Sequence, residues 1–198
     1  MQKLSFEGVE VLGASLQAML AGFQTATTLA SKIMLEEGIG QAGPDGKVTI
    51  DPNAWIPAEK ALKAFREIAQ NVGPSVQFQI GLKIPENAKF PPSVKDLESA
   101  LAAIDIAYHM NHRKNGRSLF DPATGKVTDG IGHYKSERVP GKNEIITVCD
   151  NPYPCEFDRG LITAMAKKFQ PNAFIFHDDK KPCRGKGGAS CTYQVKWL

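Results

Sequence analysis

Apolar positions change their period along the chain, and the change divides it. Within the first 37 residues, Leu12, Leu16, Met19, Leu20, Phe23, Leu29, Ile33 and Met34 keep helical spacing, and Gly38 suits the cap that ends a helix. Residues 39–52 read as a loop with a short strand at 48–50. A second helix starts near Pro57, carries Ala58, Leu62, Phe65 and Ile68 inward, and stops by Gly73. Residues 75–84 alternate apolar and polar at Val76, Phe78 and Ile80, which predicts a strand, with a short helix as the alternative. After the break FPPS, Ser93 opens a third helix with Asp96 three residues on and an apolar stripe of Val94, Leu97, Leu101, Ile104 and Tyr108.

Beyond the polar loop 113–133 the texture shifts. Strands are predicted at 144–148, 173–176 and 192–197, with one helix at 157–169 around Leu161, Ile162, Met165 and Ala166. The chain is therefore an α+β protein of one domain, residues 1–198. Its N-terminal two-thirds are helical (1–112 mainly so) and pack on a small C-terminal antiparallel sheet with one helix, the unit 143–198.

Charge excludes some partners. Lys+Arg 24 against Asp+Glu 21 gives a formal +3, and the densest basic run, Lys180, Lys181, Arg184 and Lys186, reads as a solvated turn, so no nucleic-acid partner is implied. No apolar run is long enough to span a bilayer. The opening MQKLSFEGVEVLG has no secretory pattern, which points to the cytoplasm. There, cysteine clusters bind metal more readily than they form disulfides. G-x-S-x-G, Walker and H-E-x-x-H motifs are absent, and no nucleophile stands beside a base. Enzyme chemistry is not expected.

All four cysteines, Cys149, Cys155, Cys183 and Cys191, lie in the C-terminal unit. Cys155 falls at a helix start, Cys183 at a strand end and Cys191 at the next strand start, so three of them can meet at one sheet edge. The alternative is free thiols that pack like small apolar residues. CEFDRGLITAMAKKF and CRGKGGASCTYQVKW resemble the C-terminal part of the 4-vinyl reductase domain, a small-molecule-binding module also found in aromatic-responsive bacterial activators. The resemblance covers about 45 residues, with Cys155, Gly160, Cys183, Gly187, Cys191 and Tyr193 in matching order. It implies a structural zinc on Cys155, Cys183 and Cys191. Lys180 stands where the pattern has its fourth ligand, a glutamate; Cys149, His177 and Asp179 are the possible replacements, with Cys149 favoured as the better zinc ligand.

HYKSER carries Tyr134, Ser136 and Arg138 as Y-x-S-x-R and looks like the propionate-binding motif of the haem–nitric-oxide/oxygen binding domain, a related fold. That resemblance implies haem with a helix histidine as axial ligand. The candidates His109 and His112 lie 25 and 22 residues before Tyr134, where the family spacing is several residues longer. His112 can share the buried stripe, whereas His109 should pair with Asp105, half exposed. As D-x-x-x-H-x-x-H, Asp105, His109 and His112 read as a polar solvated face before a metal site. Trp55, Phe65, Phe78, Tyr108 and Phe120 could line a pocket, although core packing explains such aromatics too.

Together these readings predict a small-molecule-binding sensory module with an apolar pocket and a structural zinc. It would signal through a partner protein and form a homodimer through its N-terminal helices, as related modules do. The alternatives are a haem-dependent nitric oxide or oxygen sensor, an enzyme acting on a hydrophobic or tetrapyrrole-like substrate, and an assembly subunit with no small ligand.

Overall fold

The computed structural model of the chain describes residues 4–23, 26–87 and 92–198. Strand β1 (Val9–Leu12) leads into helices α1 (Gly13–Gly22) and α2 (Thr27–Glu36). Strands β2 (Gln41–Ala42), β3 (Val48–Thr49) and β4 (Trp55–Pro57) precede helix α3 (Ala58–Lys83), a 3-10 turn at Ile84–Asn87 and helix α4 (Leu97–Met110). Four short strands follow: β5 (His112–Lys114), β6 (Arg117–Ser118), β7 (Phe120–Asp121) and β8 (Lys126–Val127). The C-terminal unit is β9 (Tyr134–Arg138), β10 (Glu144–Cys149), α5 (Cys155–Phe169), β11 (Phe174–His177) and β12 (Cys191–Lys196).

The α+β class and the antiparallel C-terminal sheet with one helix are as the pattern predicts, with β9 as a strand added ahead of the predicted unit. An antiparallel sheet in the order β11-β12-β10-β9 closes the chain, with Cys149 opposite Cys191 and Tyr134 opposite Cys149. The N-terminal half departs from it. Residues 9–12 form a strand instead of helix, central in a second sheet ordered β4-β1-β5-β6, so the loop region 113–133 also carries strand. Glu10 and Arg113 are ladder partners and form a two-pronged ion pair there. The predicted helix across residues 24–25 and the Phe90–Pro91 part of the break lie outside the described residues.

Residues 75–84 are helix, not strand. Gly73 (φ 76°) and Pro74 break the helical run, and the chain resumes as helix on a new axis. The Gln77 amide donates to the Ala69 carbonyl across the kink at 2.8 Å, satisfying an acceptor that the break leaves open. The third helix begins later than predicted. Asp96 is its N-cap and forms a capping box with Ser99, because Ser99 N donates to Asp96 Oδ1 at 2.8 Å and Asp96 N donates to Ser99 Oγ at 3.1 Å.

The second half of α3 crosses α5 at two glycines. A Cβ built on Gly160 would overlap the Phe78 carbonyl oxygen and lie 3.1 Å from Gly81 Cα, while one on Gly81 would overlap the Phe157 carbonyl. Gly160→Ala should therefore force the helices apart and destabilise the fold by roughly 3 kcal/mol. Calorimetry should then show a melting temperature lower by about 10 °C.

Candidate functional site: an apolar cavity and a cysteine–histidine cluster

A cavity of about 250 Å³ lies between α1, α4 and α5. Its walls are mostly apolar: Ala18 and Met19 from α1, Ile104 from α4, and Phe157, Leu161 and Met165 from α5. Of the five aromatics considered from sequence, only Tyr108 lines it; Phe65 packs edge-on against Phe157 in the core, and Trp55 and Phe78 lie beneath Arg113 and Arg159. The polar groups at the wall are specific. His112 is buried and its Nδ1 is 2.7 Å from the Tyr108 carbonyl, which can only accept, so Nδ1 carries the proton. Nε2 is left as a free acceptor at the cavity wall. Burial lowers the His112 pKa to about 4, so the ring is neutral at pH 7. Tyr108 donates its hydroxyl to the Ile131 carbonyl at 2.7 Å, and Tyr134 donates its own to Asp158 Oδ1 at 2.7 Å.

From sequence Asp158 reads, with Asp150 and Glu156, as a carboxylate cluster at a helix start that the macrodipole explains, but its position carries a further signal. It stands on the apolar stripe of α5 with Leu161, Ile162 and Met165, a carboxylate at a core position. It is fully buried, accepts from Asn151 Nδ2 as well as from Tyr134, and is paired with the Arg184 guanidinium. Burial pushes its pKa up to about 6, against the pull of Arg184, Tyr134 and Asn151. Arg184 therefore does not belong to a solvated basic turn; it reaches inward from that turn to a buried charge.

The Y-x-S-x-R residues share one face of β9, as strand alternation requires, but each already has a partner. Tyr134 binds Asp158, Ser136 Oγ sits 2.9 Å from Thr147 Oγ1, and Arg138 donates to Glu98 at 2.9 Å and lies over the Trp197 ring. Only Tyr134 reaches the cavity. Asp105, His109 and His112 do not form a solvated face. His109 is fully buried, donating from Nδ1 to the Asp105 carbonyl, with Nε2 left without a partner. His112 turns to the cavity, and His133 takes its place beside Asp105 and His109.

The second site lies at the C-terminal sheet edge. Cys155 Sγ is 3.6 Å from Cys183 Sγ and 3.2 Å from Cys191 Sγ, and a His177 ring nitrogen joins the same group, all ligand atoms within 4.8 Å of one another. Thiolates 2.3 Å from a tetrahedral zinc sit about 3.8 Å apart, so three sulfurs this close suit one ion. His177 stacks on Tyr193, and its Nε2 is buried with no hydrogen-bond partner. The turn between the cysteines needs its glycines: Gly187 has φ 82°, and a Cβ on Gly188 would lie 2.8 Å from Cys183 N. Cys191 is held well below the usual thiol range, first by the Cys155 S–H and then by the Arg184 N–H and guanidinium. Cys149 stands opposite Cys191 in the ladder but outside the converging group, and burial pushes its thiol well up. Asp179 is exposed and takes no part either.

No protein-family model matches the chain, and no curated protein does. Solved structures do match. An H-NOX domain from work on haem distortion aligns at TM-score 0.61 and 12% identity over 93% of this chain and 94% of that one. The fold is that of an H-NOX domain. An H-NOX protein from S. oneidensis in the Fe(II) ligation state gives 0.59 and 15% over 94% and 96%, and Cs H-NOX gives 0.60 and 15% over 94% and 96%. At these identities the likeness is one of H-NOX fold. It agrees with the second of the two sequence resemblances, while the 4-vinyl reductase resemblance rests on its cysteine motif alone. Among the described residues no helix is long and apolar enough to cross a membrane.

His133, next to the cavity residue Tyr134, sits between two carboxylates. His133 places Nε2 2.6 Å from Asp129 Oδ1 and Nδ1 3.2 Å from Asp105 Oδ2, and Tyr134 N donates to Asp105 Oδ1 at 2.8 Å. Burial lowers the His133 pKa, but the bonds to Asp105 and Asp129 outweigh it and the net shift is upward. The folded state thus binds this proton more tightly, so its stabilisation is full below the unfolded value of about 6.5 and fades as pH rises through the folded pKa. Urea unfolding of wild type and His133→Gln at pH 6 and pH 8.5 should show the larger gap between them at pH 6. An equal gap at both would mean that His133 is not charged in the fold.

Proposed function

We propose that the chain is a small-molecule-binding sensory module whose cavity takes a neutral hydrophobic ligand of one or two rings carrying a hydrogen-bond donor. A structural zinc on Cys155, His177, Cys183 and Cys191 braces the C-terminal unit, and a partner protein reads the bound state. The observation that carries this reading is the cavity itself: mostly apolar walls with a free acceptor among their few polar groups, the neutral His112 Nε2. An apolar cavity of ~150 Å³ holds a benzene ring, so about 250 Å³ suits one or two fused rings. For zinc, the support is three converging sulfurs and a buried, unpartnered histidine nitrogen, and with four protein ligands the metal has no open position for catalysis. His177 replaces Cys149 as the fourth ligand in this reading.

Haem is the second reading, favoured by the H-NOX fold of the neighbours and by His112, whose backbone-bonded Nδ1 and free Nε2 suit an axial ligand. The rest of the site does not fit haem as it stands. The carboxylate clamp is engaged within the protein, and a tetrapyrrole exceeds a cavity of about 250 Å³.

Two measurements test these readings. Elemental mass spectrometry should find one zinc per chain, lost in Cys183→Ser and His177→Ala and kept in Cys149→Ala; loss in Cys149→Ala would restore the fourth ligand expected from sequence. Calorimetric titration with indole, whose N–H can donate to His112, should show saturable binding, weakened roughly five- to ten-fold by His112→Leu. A Soret band on adding haemin, abolished by His112→Ala, would transfer the function to haem.

A further inference from the structure

The inference rests on the reading just given, with a metal among the cysteines and a small ligand in the cavity. Between the two sites runs an unbroken line of buried polar contacts. Arg184 directly follows Cys183, and its backbone N–H donates to Cys191 Sγ at 3.4 Å, so its position is fixed by the sulfur cluster. Its guanidinium points the other way, donating to Asn151 Oδ1 at 2.7 Å and pairing with Asp158 Oδ2. The opposite oxygen of Asp158 accepts the Tyr134 hydroxyl at 2.7 Å. Tyr134 is cavity wall, its ring edge-on to that of Tyr108 at 5.6 Å.

Each step in that line depends on its neighbour. Asp158 is fully buried, and Arg184 is the cation paired with it. If the turn carrying Arg184 moves, the carboxylate loses its counter-charge in a place water does not reach, and it must reorganise. Tyr134 then loses the acceptor that sets its hydroxyl and its ring. A bound metal holds the turn in the arrangement that pairs Arg184 with Asp158, and a ligand packed on Tyr134 favours that same arrangement. Two sites that favour one state are coupled, and the coupling is reciprocal.

We infer that metal occupancy of the cysteine–histidine cluster and ligand occupancy of the cavity are coupled through Arg184, Asp158 and Tyr134, with Arg184 and Asp158 as positioning residues. Metal raises the affinity of the cavity, and cavity ligand slows release of the metal.

The test uses the full chain, zinc and indole. Indole affinity is measured by calorimetry on zinc-loaded protein, on chelator-stripped protein and on zinc-loaded Arg184→Met and Arg184→Lys, with far-UV circular dichroism confirming that each is folded. Zinc release to a chromophoric chelator is followed with and without indole. Stripping should weaken indole about ten-fold, zinc-loaded Arg184→Met should show a similar loss, and Arg184→Lys should recover part of it. Indole should slow zinc release from the wild type and not from Arg184→Met, a difference that a merely structural role for Arg184 would not produce. Equal indole affinity with and without zinc in folded wild type overturns the coupling and leaves both sites standing. Wild-type protein that holds no zinc overturns the proposed function and the coupling together. Zinc binding with no indole binding overturns the coupling together with the cavity reading, and leaves the metal site standing.

Discussion

The contact on which the rest of the molecule depends is the crossing of α3 and α5 at Gly81 and Gly160. There two helices meet backbone to backbone, with no space for a Cβ on either. Close approach brings the first turns of α5 deep into the protein, and those turns supply both candidate sites. Cys155 faces the sheet edge, Phe157 and Leu161 face the cavity, and Asp158 points into the ground between. The kink at Gly73 and Pro74 belongs to the same arrangement, because it redirects the second half of α3 along the new axis on which Gly81 lies.

Burying α5 so fully commits the structure to satisfying Asp158. An ionised carboxylate in a core is tolerated only with a counter-charge and hydrogen bonds to its remaining lone pairs. Asp158 has both, and they come from three separate segments: Tyr134 from β9, Asn151 from the turn before α5, and Arg184 from the turn between the cysteines. These buried polar contacts tie the C-terminal turn to β9 and to the turn before α5. His109 follows a different course, fully buried with one nitrogen bonded to its own helix and the other without a partner. Its ring centroid lies 4.9 Å from that of His133.

Before any coordinates, the fold class could be read where hydrophobic period and element agree. The α5 stripe, the alternation of β10 and β12, and the apolar positions of α4 all carry their period in the residues themselves. The strand at Val9–Leu12 could not be seen, because its partners come from residues 55–57 and 112–114 and its sequence runs straight into α1. Residues 75–84 alternate like a strand and still form helix, since helix packing against α5 overrides a short local pattern. Three of the four converging side chains are legible from element ends. Ligand chemistry alone favours Cys149 over His177; the register sets His177 beside Tyr193 with the converging group and Cys149 within the buried sheet. Arg184 was hidden by its setting, a basic run that reads as solvent-facing until the turn is folded.

Within this fold, the chemistry of the cavity wall turns on a single residue. Function resides in sites carried by folds, and in this chain the fold leaves a slot between α1, α4 and α5. Arg138 does not decide what that slot takes, because an exposed pair with Glu98 is readily exchanged for another anion. Ser136 is tied to a neighbouring hydroxyl, also a modest bond. Tyr134 is different. To bind a ligand carboxylate it would have to abandon Asp158, leaving a buried carboxylate short of a donor, and unsatisfied buried groups cost about 1–3 kcal/mol or more when charged. The new carboxylate would also approach one already there. So long as Asp158 occupies the core stripe of α5, Tyr134 belongs to it, and the cavity beside them is better suited to a neutral guest than to an anionic one.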